Sequence, residues 1–154
     1  MASCFFIGHR ETGEQVLPRV TEAVEQLILN DGVNTFYVGN YGGFDHLAAS
    51  AVKQIKQKYP EIKLYLVIPY HPADRPVETP AGYNGTFYPD GMETVSYRYA
   101  IPKANRKMVE TCDFLIACVT RSIGNSYKVL EYARRREKKG LIHVMNLGDK
   151  GSGP

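Results

Sequence analysis

The sequence predicts an α/β fold, a mainly parallel, doubly wound sheet of about five strands with helices on both faces, and three observations carry that prediction. Apolar runs of strand length recur at 3–7, 35–38, 63–68, 114–119 and 141–145. Four of them are followed by segments with helical spacing. Runs such as "CFFI", "LYLVI" and "FLIACV" are apolar without alternation, as strands covered on both faces require. Strands alternating with helices make parallel neighbours, so the expected architecture is Rossmann-like.

The first helix is expected over 14–30, where Val16, Val20, Val24, Leu27 and Ile28 recur at three- and four-residue steps and Asp31-Gly32 supplies the stop. The second should begin at Asp45 and turn Leu47, Ala48, Ala51, Val52 and Ile55 inward until Tyr59-Pro60 ends it. A third, about 100–111, carries Pro102 in its first turn, where a missing N–H costs nothing. The last, about 126–139, places Val129, Leu130 and Ala133 on the core and "RRREKK" at its carboxyl end, favourable to the helix dipole. From 70 to 99 no period is sustained among the Pro, Gly and Tyr residues. This segment reads as an irregular insertion whose aromatic content favours packing over disorder.

A chain of 154 residues, 44% of them apolar, suits one domain over 1–149, with Gly-Ser-Gly-Pro in a flexible tail at 150–154. The formal charge of +3 is too small for a nucleic-acid binder and leaves a weak preference for anions. Cys4, Cys112 and Cys118 form no CxxC or Cys/His spacing, so they read as reduced core thiols of a cytoplasmic protein; no metal or other cofactor is expected. Gly8, His9 and Arg10 cut the first apolar run far short of a signal peptide or membrane span, and no membrane partner is expected.

Ligands of doubly wound sheets bind at the carboxyl ends of the strands, so the loops that leave the strands are the candidate site. After the first strand, Gly8 is followed by His9 and Arg10, an imidazole and a guanidinium able to grip phosphate. After the second, Gly39, Asn40, Gly42 and Gly43 leave backbone amides open to a phosphate. Asp45 there either caps the helix or accepts a hydrogen bond from a ribose hydroxyl. Taken alone, this stretch reads equally well as a tight, capped turn. Pro69 follows the third strand. After the fourth, Arg121, Gly124, Asn125 and Ser126 lead into a helix, with Asn125 or Ser126 as its cap and its amino end suited to an anion. Asn105 and Arg106 lie on the preceding helix, where a solvated charged face is the bland alternative.

In order along the chain, "CFFIGHR", "TFYVGNYGGFDHLAA", "YPEIKLYLVIPY", "NRKMVETCDFLIACV" and "YARRREKKGLI" together resemble the SLOG superfamily, most closely its short stand-alone YpsA-like branch. The resemblance covers about residues 3–146. It implies loops that bind a nucleotide or nucleotide-derived, even cyclic, signalling ligand, as in sensors of defence and signalling systems. It points to Gly8, His9, Arg10, Gly39, Gly43, Asp45, Asn105 and Arg106. Two departures matter. Relatives carry a Gly-Gly-Thr type of turn where this chain has Ile123-Gly124-Asn125-Ser126, and the Lonely-guy phosphoribohydrolases carry a glutamate where Val129 stands. A binding module, self-associated into a homo-oligomer, is therefore expected ahead of the alternative, a nucleotide N-glycosidase whose catalytic carboxylate is Asp45, with Glu11 and Glu14 as the other available candidates. The tyrosines of 70–99 are expected to cover the base.

Overall fold

The computed structural model describes residues 2–148, and the tail expected at 150–154 lies outside them. Its strands are β1 (Ala2–Gly8), β2 (Val33–Val38), β3 (Lys63–Val67), β4 (Gly85–Phe87), β5 (Phe114–Cys118) and β6 (His143–Asn146). Its helices are α1 (Leu17–Asp31), α2 (Gly43–Lys58), α3 (Ala100–Thr111) and α4 (Asn125–Lys138). The strands form one sheet in the order β4-β3-β2-β1-β5-β6, every neighbouring pair parallel. The Rossmann-like, doubly wound expectation therefore holds, with six strands in place of about five.

The sixth strand, β4, lies inside the segment read as irregular. The Asn84 side chain starts its ladder by accepting from the Leu64 N–H at 2.9 Å while the Asn84 N–H donates to the Leu64 carbonyl at 2.7 Å. Beyond β4, Met92 is buried against Ala100 and Ala104, with Tyr70, Tyr88 and Val95 around them. The excursion is thus tied into the fold by a strand and a small core of its own.

Strand side chains alternate between two cores, which is why the apolar runs show no alternation. Cys4 and Phe6 of β1 face α1 and α2, with Phe36, Leu64 and Ile116 beside them. Phe5 and Ile7 face α3 and α4, with Leu115 and Ala117. Helix α1 follows a short 3-10 turn at Glu14–Val16 and stops at Gly32, whose left-handed backbone (φ 67°) lets its N–H reach the Leu27 carbonyl. Helix α2 starts two residues before the expected Asp45, with Gly42 at its N-cap, and α4 is preceded by Gly124 at its N-cap, so neither Asn125 nor Ser126 caps it.

The order places β1 at the reversal of the winding. From β1 the chain adds β2, β3 and β4 on one side, and only later β5 and β6 on the other. The loops after β1 and β5 therefore diverge at their carboxyl ends and leave a crevice between them.

Candidate ligand-binding site

The crevice holds a cavity of about 430 Å³, within the range of small-molecule sites. Of the residues read from the sequence, Gly8, His9, Arg10, Gly39, Asp45, Asn105, Arg121, Gly124, Asn125 and Ser126 line it. Glu11, Tyr41, Ile101, Pro102 and Ile123, together with Phe5, Phe6 and Ile7 of β1, complete the wall. Glu11 is among the carboxylates the sequence offers to an N-glycosidase, whereas Tyr41, Ile101, Pro102 and Ile123 carry no chemistry that a sequence pattern announces. No tyrosine of 70–99 lines the cavity; Tyr41 does, along with Phe5 and Phe6 of β1.

His9 is a strut more than a free imidazole. Nearly buried, it accepts at Nε2 from the Thr120 N–H (2.9 Å) and the Arg121 N–H (3.3 Å), which requires the neutral ring with its proton on Nδ1. Burial, then the charge of Arg121, lowers its pKa, while Glu11 opposes them. The ring thus ties the loop after β1 to the loop after β5. Ser126 adds a second tie, its hydroxyl donating to the Gly8 carbonyl at 2.8 Å.

The two glycine-bearing turns divide the labour differently from the sequence reading. At α2 the amides face inward: the Gly43 N–H donates to the Arg10 carbonyl (2.9 Å) and the Phe44 N–H to the His9 carbonyl (3.3 Å). A Cβ on Gly43 would lie 2.5 Å from the Arg10 carbonyl oxygen, and one on Gly42 would lie 2.8 Å from Arg10 Cα. These glycines let the β1 loop press against the start of α2. The Gly43 amide is thereby taken up by the chain itself, and neither glycine lines the cavity. At α4 no side chain caps the helix, and its first N–H groups, at Asn125 and Ser126, have no intrahelical acceptor and border the cavity. This is the anion-favouring end.

Arg10 is exposed beside it and makes no ion pair or hydrogen bond through its guanidinium among the described residues; the half-buried Asn105 carboxamide is equally unengaged. Arg121 instead pairs with Glu11 across the mouth, holding the Glu11 carboxyl below its ordinary range. Arg106, expected at the site, lies over the Tyr132 ring (5.4 Å) and outside the cavity. Asn40 and Pro69 line a second, smaller pocket beyond Tyr41.

Asp45 is the third residue of α2, not its cap. Its Oδ2 accepts from the Tyr41 N–H at 3.0 Å and lies 3.1 Å from where a Cβ on Gly39 would sit, so the bare Gly39 makes room for the carboxylate. Among the described residues no cation pairs with it, and burial pushes its pKa up to about 6, opposed by the Tyr41 N–H. Val129, where the resemblance led to a glutamate, is buried in the core, and Glu131 pairs with Arg134 at 3.6 Å.

Among the described residues no group of three or more His, Cys, Asp or Glu side chains gathers as a metal site, and no helix is long and apolar enough to cross a membrane. No protein-family model matches the chain, and no curated protein matches it significantly.

Proposed function

We propose that the protein binds a nucleotide or nucleotide-derived signalling ligand, with a phosphate against Arg10 and the amino end of α4 and sugar hydroxyls toward Asp45. It acts as a sensor or sequestering module. The observation that carries the reading is the convergence of three unengaged groups on one cavity at the reversal of the sheet: an uncapped helix end, the Arg10 guanidinium and the Asn105 carboxamide. Helix end and guanidinium suit a phosphate. A half-buried carboxyl that lacks a cation suits a hydroxyl donor. The exposed Glu11–Arg121 pair costs little to open, which leaves Arg121 available to the same phosphate. The motif order resembling the SLOG superfamily points the same way.

Calorimetric titration with nucleoside phosphates and cyclic nucleotides tests this. Arg10→Ala should weaken binding about tenfold, the α4 amides holding what affinity remains. Undiminished affinity in the variant, or no binding by any of these compounds, overturns the reading.

One observation favours a second reading. A carboxyl with a pKa near 6 beside a ligand cavity has the properties of an acid/base group. If Asp45 assists cleavage of an N-glycosidic bond, free base accumulates from nucleotides and Asp45→Asn stops it. Nucleotides left intact after long incubation with the unaltered protein dismiss the catalytic reading and leave the binding reading in place.

A further inference from the structure

A second pocket of about 120 Å³ lies at the carboxyl end of β3. Tyr41 is a wall of both hollows, with Asp45 on the main side. The floor is apolar, formed by Leu66 and Ile68, and Pro69, Tyr70, Arg75 and Val77 rim it. The pocket's volume is somewhat below the roughly 150 Å³ of a dry cavity that holds a benzene ring, so it seats the edge of a flat ring system rather than enclosing it.

Arg75 is the informative residue. Its guanidinium carbon lies 4.6 Å from the centroids of both Tyr70 and Tyr97, whose rings stack at 4.4 Å. Its backbone is held as well, since the Asp74 and Arg75 N–H groups both donate to the His71 carbonyl at 2.9 Å. Yet no carboxylate pairs with it among the described residues. A planar cation is thus fixed in place by two aromatic rings, at the rim of an apolar slot, with its N–H donors free. Tyr41 and Tyr97, both part-exposed, add aromatic surface on this side of the site.

We infer that this pocket is the base subsite of the ligand whose phosphate occupies the main cavity: the ring slides past Tyr41 onto Leu66 and Ile68, and Arg75 donates to acceptors on its edge. Arg75 and the slot therefore discriminate a base-bearing ligand from a bare sugar phosphate. An apolar floor and a single edge-on cation suit a heterocycle, which presents a flat face and in-plane acceptors. A second phosphate would have to desolvate against leucine and isoleucine. The assignment rests on the nucleotide reading.

The test titrates the full chain with adenosine and guanosine 5′-monophosphates and with ribose 5-phosphate, in the unaltered protein and in Arg75→Ala, Val77→Trp and Arg10→Ala. The unaltered protein should bind at least one nucleotide about tenfold or more tighter than ribose 5-phosphate. Arg75→Ala, and independently Val77→Trp with an indole filling the slot, should erase most of that ratio while leaving the ribose 5-phosphate affinity within about twofold. Arg10→Ala should weaken both classes together. A nucleotide preference that survives both slot variants, or equal binding of nucleotide and ribose 5-phosphate by the unaltered protein, overturns the base subsite and leaves the phosphate site standing. Failure of all three compounds to bind overturns both.

Discussion

Gly43→Ala should lower the unfolding free energy by about 3 kcal/mol or more, measured by urea denaturation. The methyl group would sit 2.5 Å from the Arg10 carbonyl oxygen and 2.8 Å from that of Thr12. Both are backbone atoms, so no side-chain rotation relieves the contact. Relief requires the loop after β1 to move away from α2, which stretches the Gly43 N–H bond to Arg10 (2.9 Å) and that of Phe44 to His9 (3.3 Å). The same loop carries His9, whose ring is held by the Thr120 and Arg121 N–H groups, so displacement spreads to the loop after β5. Gly32→Ala is the control: its backbone is left-handed but nothing lies within 4 Å of the added methyl, and about 1 kcal/mol is expected. Equal, small losses in the two variants would mean that the loop after β1 is not wedged against α2, and the shape of the cavity would then need another cause.

Gly43 also illustrates which parts of the molecule were legible in the sequence. The strands were, because unbroken apolar runs such as "FLIACV" reflect burial on both faces of a parallel sheet, a property that each strand carries by itself. Strand β4 was not. Gly85-Thr86-Phe87 is too short to show a period, and it is a strand only because it pairs with Tyr65, Leu66 and Val67. A pair of glycines before a helix signals that bare backbone is needed there, but not what approaches it. At α2 the approaching atoms are Arg10 and Thr12, about thirty residues earlier, and not a ligand. The Glu11–Arg121 pair joins positions 110 residues apart, which no local pattern announces. The convergence of Arg10 and the α4 end was legible because the rule for doubly wound sheets places every strand's exit loop on one edge, whereas Asn105, in the middle of α3, lies outside that rule and was pointed to by the resemblance. Tyr41 was missed: its neighbours Gly39, Asn40, Gly42 and Gly43 drew attention as backbone donors, whereas Tyr41 itself lines both pockets.

Asp45→Asn should stabilise the protein at pH 7 by about 3 kcal/mol and leave its stability nearly unchanged at pH 4. Asparagine is the same shape and keeps an oxygen to accept the Tyr41 N–H, now 3.0 Å from Asp45 Oδ2. What changes is the charge. Burial raises the folded pKa from 3.8 to about 6, so between those values the folded chain holds a proton that the unfolded chain has released. Stability therefore falls as pH rises through this window and stays lower above it. Below pH 3.8 the carboxyl is neutral in both states, and the difference from asparagine closes. Unfolding curves of the two proteins at pH 4, 5, 6 and 7 should diverge progressively; a pH-independent gap means that the carboxyl ionises normally and removes the basis for an acid/base role. A carboxyl kept in a cavity wall at the expense of stability is the pattern of a functional group. A ligand hydroxyl donating to the ionised form would lower its pKa again. Binding near pH 6 should then release protons, seen as a dependence of the calorimetric heat on buffer ionisation enthalpy, and Asp45→Asn should abolish that release. Retention of the buffer dependence in the variant would mean that the released proton does not come from Asp45 and would remove the assignment of a ligand hydroxyl to its carboxylate.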